Sequence, residues 1–354
     1  MAKHNIVVIP GDGIGTEVIA AGVKVLEALA LEIDDLSFDF KFLDWGSDRY
    51  LNKGAMMPED GIASLKHYDA IYFGSAGDPR VPDHITLWQL RLAICQGLDQ
   101  YANVRPARLL PGIASPLSNQ PDINCIIVRE NSEGEYSGAG GRVHTGLDLE
   151  VGTEVSIFTS KGCERIHIFA FNLARMRARK KLTLVTKSNA QRHGMVLWDE
   201  TFESVKSDYP DIRTERVLVD AMAARLVTDP TSVDVIVASN LHADILSDLT
   251  AALTGSLGLA PTANINPERE TPSMFEPIHG SAFDIMGRGI ANPLGAIWSA
   301  VMMLEHLNES EAAAKLMGSI ESVCADNRIL TRDLGGQALT KDVAEAIIQT
   351  LSQP

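Results

Sequence analysis

The stretch Ile6-Val7-Val8-Ile9-Pro10-Gly11-Asp12-Gly13-Ile14-Gly15 is followed by a segment with helical periodicity from Glu17 to Leu31. Four β-branched residues in a row suit a buried strand, the glycines suit a tight loop, and the apolar stripe beyond them suits a helix packed on that strand. Similar short β-rich runs recur at Ala70–Phe73, Cys125–Val128, Lys181–Thr186 and Val233–Ala238, and most lead into a loop and a helical pattern. This rhythm predicts an α/β layered fold. The glycines are spaced GxGxG, and Thr16 takes the last place of a GxGxxG. The fingerprint of a GxGxxG Rossmann domain is therefore absent, and the residues alone leave open a plain packing turn or a functional loop.

The 354 residues carry 31 Lys and Arg against 46 Asp and Glu, a formal charge of −15, which argues against a nucleic-acid partner. With 45% hydrophobic and 22% charged residues the chain has material for a large core and no compositional bias toward disorder. Single cores stop growing at about 250 to 300 residues, so the length predicts two domains or one two-lobed fold. No apolar run reaches the ~18 residues of a membrane span, and Met1–Pro10 lacks the layout of a signal peptide. A cytoplasmic protein with no membrane partner is expected. Cys95, Cys125, Cys163 and Cys324 lie far apart without CxxC spacing, so reduced, buried thiols are expected rather than disulfides or a zinc site.

Two stretches break the rhythm. Arg142–Phe158 alternates charged and β-favouring residues, which predicts a hairpin or protruding arm. Gly258–Asn292 is rich in Gly, Pro and Asn with little periodicity, and a structureless loop of that length is usually functional. Helical patterns return at Pro293–Leu307 and Lys341–Leu351.

The strongest local signal is Asn240-Leu241-His242-Ala243-Asp244-Ile245-Leu246-Ser247-Asp248, directly after the run ending at Ala238. On a helix, Asp244 and Asp248 at i, i+4 share a face and repel by a few tenths of a kcal/mol. A divalent cation with all-oxygen ligands, Mg²⁺ or Mn²⁺, would reverse that penalty; a solvated acidic face is the other reading. Arg105 and Arg129 each follow apolar segments that would deliver their guanidinium forks to a rim, as anion binders or as partners of Glu130, Glu133 and Glu135. Tyr136 reads as a packed aromatic or a proton donor. Lys187, directly after Leu182-Thr183-Leu184-Val185-Thr186, reads as a solvated lysine or, if buried beside a metal, as a base.

Taken together these segments resemble the β-decarboxylating dehydrogenase family, which includes isopropylmalate, isocitrate, homoisocitrate, tartrate and D-malate dehydrogenases. The resemblance runs nearly end to end and is carried by Pro10–Gly15, Asn103–Pro106, Val128–Tyr136, Thr186–Asn189, Asp220, Ser239–Asp248, Glu276–Ala282 and Gly289–Asn292. It implies an isopropylmalate dehydrogenase-like two-lobed α/β fold. Residues 1–101 plus 259–354 would form a large NAD-binding domain from both chain ends, and 102–258 a domain for dimerisation, metal and substrate, with an arm near 142–158. The active cleft would lie between them.

The same resemblance implies that Asp220, Asp244 and Asp248 hold Mg²⁺ or Mn²⁺, that Arg105 and Arg129 bind substrate carboxylate, and that Tyr136 and Lys187 are the acid–base pair. Lys187 and Asp220 would come from the other subunit, making a homodimer with shared active sites. His279, Gly280, Ser281, Ala282 and Asn292 match the part that wraps the adenosine, with Asp284 where a carboxylate meets the ribose hydroxyls. An acid there favours NAD over NADP by charge repulsion with a 2′-phosphate. The loops at Pro82–Trp88, Pro116-Leu117, Trp198–Glu200 and Asn266–Arg269 most resemble the tartrate and D-malate branch, which implies oxidative decarboxylation of a D-malate-like 2-hydroxy acid.

One departure stands out. Counting back four residues from Asp99, the family's first substrate arginine falls on Cys95, and Arg91 lies one helical turn earlier. Both are expected near the substrate, Arg91 as a stand-in for the missing charge. If that fails, a 3-isopropylmalate-type or other 2-hydroxy acid is the alternative substrate, and an idle metabolite- or NAD-binding relative is the alternative of another class. Ala243 and Phe283 replace a usual glycine and a usual proline, and Phe283 would narrow the adenosine pocket.

Overall fold

The computed structural model describes residues 2–353. They fall into two compact units. Unit 1 comprises the chain up to Gln100, Arg108–Asp122, and the chain from Ala251 onward; unit 2 comprises Tyr101–Ala107 and Ile123–Thr250. Residues 108–122 and 251–258, which the sequence groups with the middle segment, pack with unit 1. The reason is long-range contact invisible in sequence: Arg108 pairs with Glu321, and Ser115 Oγ donates to the Leu253 carbonyl at 2.7 Å.

The strands in chain order are β1 (Ala2–Gly11), β2 (Leu36–Phe42), β3 (Ala70–Ser75), β4 (Ala102–Arg108), β5 (Asn124–Glu130), β6 (Gly134–Val143), β7 (Val151–Ile157), β8 (Lys181–Thr186), β9 (Arg213–Leu218), β10 (Val235–Ala238), β11 (Pro261–Ile265) and β12 (Ser273–Pro277). Unit 1 orders its strands β2-β1-β3-β12-β11, parallel except for the antiparallel β11–β12 pair. The apolar run Ile6–Ile9 is wholly buried in β1 and feeds the helix Gly15–Glu32, as the opening stretch predicts. β11 and β12 correct the expectation of a structureless Gly258–Asn292. Neither PTANI nor SMFEP carries a β-branched run, and their prolines sit at strand ends where a missing N–H is tolerated. Their pairing is secured by burial instead, with Ala263 opposite Phe275, both in the core.

Unit 2 orders its strands β4-β5-β10-β8-β9, with β5, β10, β8 and β9 parallel. Parallel neighbours end together, so whatever follows each strand is delivered to one edge. Its aromatic core stacks Phe171 on Phe202 and Tyr209 at 5.0 and 4.7 Å, with His167 edge-on to Trp198 at 4.3 Å. Such pairs add about 0.5–1.5 kcal/mol each beyond area burial. β6 and β7 form a separate antiparallel ribbon, paired Arg142↔Gly152 and Val143↔Val151. The arm begins at Gly134, earlier than 142, because the first half of β6 is glycine-rich and carries little strand signal. Every residue of β7 is exposed, and Val143, Leu147, Leu149, Val151, Val155 and Ile157 all face solvent. Among the described residues no helix is long and apolar enough to cross a membrane, and all four cysteines are buried thiols.

Candidate active site

In unit 2, β5 and β10 lie side by side with Ala238 opposite Arg129. The helix Asn240–Leu253 begins just beyond β10, so its first turn meets the Arg129 side chain. Arg129 Nε donates to Asn240 Oδ1 at 2.9 Å, which aims Nη1 at the Asp244 carboxylate one turn along the helix. Arg105 arrives from β4 with its Nε held by Asn103 Oδ1 at 2.9 Å; its Nη1 donates to Asp244 Oδ1 at 3.0 Å and to Ser247 Oγ at 2.6 Å. Tyr136, on the first residues of β6, donates its hydroxyl to the other Asp244 oxygen at 3.2 Å and lies 5.1 Å from the Arg129 guanidinium, ring face to cation. Three residues scattered through the sequence thus converge on Asp244. Both arginines are almost fully buried, where a charge left unpaired would cost several kcal/mol.

Asp248 lies one turn further, 4.0 Å from Arg105 Nη1 and half exposed. Burial of its carboxyl pushes its pKa up, and the Asp244 charge adds to the rise against the lowering pull of Arg105. Two carboxylates on one helix face, one of them poorly compensated, fit an oxygen-ligated dication that keeps positions open for other ligands. Asp220 does not join them within the chain: among the described residues no group of three or more His, Cys, Asp or Glu could hold a metal. Asp220 instead pairs with Lys187, Nζ to Oδ1 at 2.5 Å, because both follow the ends of adjacent parallel strands, Thr186 of β8 opposite Leu218 of β9. Lys187 holds Asp220 below the usual carboxylate range. Neighbouring Glu130 is almost completely buried, which pushes its carboxyl up to about 6 although Ser132 and Glu133 amides donate to it.

In unit 1 the loops at 11–15 and 279–282 are joined: Ile14 N donates to the Ser281 carbonyl at 2.8 Å. Gly13 adopts φ +56°, and a Cβ there would sit 1.9 Å from that carbonyl oxygen, so the close approach requires glycine. Beside this junction is a cavity of about 360 Å³ whose lining includes Ile14, His279, Ile285, Arg288, Asn292 and Asp333. His279 Nε2 is buried without a partner, and burial pulls the ring's pKa down. A neutral imidazole nitrogen with no partner, beside apolar and amide groups, fits the adenosine end of a dinucleotide. Asn292 is fixed in orientation: its Nδ2 donates to Asp333 Oδ2 at 2.9 Å and its Oδ1 accepts from Leu294 N at 2.9 Å.

Ala282 and Ser281 belong to this loop, whereas Gly280 is exposed. Asp284 is also exposed and does not line the cavity. The turn bonds Ile285 N to Ala282 O and Arg288 N to Ile285 O face Ile285 inward and leave Asp284 outside. Asp333 and Arg288 were not singled out by sequence; Asp333 sits 41 residues from Asn292, with no local pattern to join them. Asn240 and Ser247, which orient the arginines, were hidden within a motif read for its carboxylates.

Cys95 is corrected. Its side chain is 1% exposed and lies in the apolar core of unit 1 with Phe73, Leu90, Ile94 and Leu98. The chain enters this helix through a π turn, Leu87–Arg91, before Leu92–Gly97 resumes α geometry. The π turn closes at Leu92, and the α-helical turn that follows carries Cys95 on the face packed into the core. Arg91 is engaged at Glu276, Nε to Oε1 at 2.8 Å, with Asn264 Nδ2 on the same oxygen at 2.7 Å.

Comparison with known proteins shows the family. The family model described as isocitrate/isopropylmalate dehydrogenase matches residues 5–347. The chain is 60% identical to the probable tartrate dehydrogenase/decarboxylase of Agrobacterium vitis, covering 99% of both proteins. It is 47% identical to the D-malate dehydrogenase (decarboxylating) of Escherichia coli K12, again over 99% of each. The crystal structure of isocitrate dehydrogenase from Methylococcus capsulatus superposes with a TM-score of 0.90 at 36% identity, over 99% of this chain and 100% of that one.

Proposed function

The chain belongs to the isocitrate/isopropylmalate dehydrogenase family, and from that premise we propose that it is an NAD- and divalent-metal-dependent dehydrogenase that oxidatively decarboxylates a D-malate-like 2-hydroxy acid. D-malate would yield pyruvate and CO₂, with tartrate oxidation as a second activity. The observation that carries this reading is the convergence of Arg105, Arg129 and Tyr136 on Asp244: two guanidinium forks for carboxylate, a proton donor, and a carboxylate suited to a cation. The identities to the tartrate and D-malate relatives support a four-carbon diacid.

In this reading Asp244 and Asp248 hold Mg²⁺ or Mn²⁺, and the cavity lined by His279 and Asn292 holds NAD. The bound cation supplies Lewis-acid polarisation at the substrate's C2 oxygen, and NAD⁺ supplies the hydride acceptor. Arg105 and Arg129 bind and orient substrate carboxylate through paired charged hydrogen bonds. Lys187 takes the C2 hydroxyl proton. Oxidation at C2 leaves a carbonyl β to the remaining carboxylate, the arrangement that releases CO₂, and Tyr136 returns a proton to the carbon left behind. Each chain's Lys187 and Asp220 serve the site of the other subunit, a homodimer supported by two features. Asp220 does not group with Asp244 and Asp248 within the chain, and the β6–β7 arm carries exposed apolar residues that a second copy would cover.

The test is NADH formation with Mn²⁺ or Mg²⁺ on D-malate, the tartrate isomers, 3-isopropylmalate and isocitrate. D-malate is expected to turn over fastest. A preference for 3-isopropylmalate would move the enzyme to another substrate within the family, and no turnover of any acid despite NAD binding would make it an idle relative.

A further inference from the structure

We propose that Glu17 is a positioning residue for the dinucleotide cavity, a carboxylate clamp that sets cofactor affinity without touching the cofactor; this rests on reading that cavity as the NAD site. Glu17 stands in the first turn of the helix Gly15–Glu32, where the helix end favours an anion. Its two oxygens accept from two backbone amides distant in sequence, Oε2 from Gly289 N at 3.3 Å and Oε1 from Ala291 N at 2.9 Å, and Thr340 Oγ1 lies 3.1 Å from Oε1. The amides of residues 289 and 291 turn toward Glu17, while the consecutive residues Ile290, Ala291 and Asn292 line the cavity. Gly289 takes φ +64°, the left-handed backbone that brings two amides of the segment onto a single carboxylate.

Thr340 closes the clamp from behind. Its amide donates to the Gly289 carbonyl at 2.9 Å and its hydroxyl to the Ala291 carbonyl at 2.7 Å. Both polar faces of the 289–291 backbone are therefore satisfied by groups outside the cavity. Opposite them, Asn292 presents an amide already fixed by Asp333. A loop preorganised in this way binds without the entropic cost of ordering it. Loss of the clamp should weaken the dinucleotide and leave the carboxylate- and metal-binding residues of unit 2 untouched.

The experiment measures NAD⁺ dissociation constants, kcat, and KM for NAD⁺ and D-malate in the full-length protein and in Glu17→Gln, Thr340→Val and Thr340→Ser. Glu17→Gln faces the two amides with an uncharged group and is expected to raise the NAD⁺ dissociation constant and KM about tenfold, the scale of one charged hydrogen bond. The same variant should hold kcat within about twofold and leave the D-malate KM unchanged. Thr340→Val should show a smaller rise and Thr340→Ser should restore wild-type affinity. A purely structural role would lower the melting temperature and kcat together and leave KM for NAD⁺ alone, and that result overturns the proposal. If Glu17→Gln does not fold, unchanged NAD⁺ affinity in Thr340→Val overturns it instead. A wild-type protein that fails to bind NAD⁺ would remove the cofactor reading itself, a result distinct from variants that bind as tightly as the wild type.

Discussion

Asp248 shows how one side chain ties electrostatics to function. Its carboxyl is pushed up by burial and by Asp244, so the charged form sits there at a cost that a bound cation removes. Asp248→Asn is expected to weaken Mn²⁺ binding by tenfold or more, roughly one charged ligand, with turnover falling in step while the oligomeric state stays unchanged; normal metal affinity in a titration would remove the assignment. Cys95 makes the opposite point. Introducing arginine there puts a guanidinium among Phe73, Leu90, Ile94 and Leu98, at several kcal/mol for an unpaired buried charge. Cys95→Arg should therefore unfold or melt far below the wild type in calorimetry, and a stable variant with altered acid preference would return Cys95 to the substrate site.

At the scale of the element, the helices Ser160–Met176 and Gly194–Lys206 are locked through His167, Trp198 and Phe202. His167 is wholly buried with neither ring nitrogen hydrogen-bonded, and burial pulls its pKa from 6.5 to about 3. Between those values the unfolded chain binds a proton that the folded chain refuses. The ring's contribution to stability is therefore complete above pH 6.5 and is lost progressively as the pH falls toward 3. His167→Phe, which keeps the aromatic contacts, should flatten the acid limb of the stability profile, read as melting temperature from pH 7 to pH 4. An acid limb of unchanged slope would mean that other groups govern acid unfolding. The β6–β7 arm differs in kind: two strands alone are marginal in water, and its exposed valines and leucines call for a covering surface.

For the whole molecule, the proposed sharing of Lys187 and Asp220 between subunits makes a quantitative prediction. Lys187→Met and Asp248→Asn homodimers should each be inactive, with NAD binding retained in Lys187→Met. Unfolded together and refolded as an equal mixture, half the dimers would pair the two variants, and each such dimer would hold one intact site, giving about one quarter of wild-type activity. No recovery on mixing would show that each chain builds its site alone. Much of this was legible in the sequence. Local patterns determined the α/β class, β1 and its helix, β8, the placing of Asp244 and Asp248 on one helix, and each of the motifs that carry the resemblance to the family, because each depends on residues within a few turns of one another. Tertiary structure decided the rest: β11 and β12 inside a loop without strand signals, Cys95 in the core, Asp284 turned outward, Arg91 engaged with Glu276, Asp333 holding Asn292, and Glu17 holding residues 289–291. Those outcomes depend on which distant groups satisfy each buried charge and amide, and a buried polar group takes the partner that folding brings to it, whatever its distance along the chain.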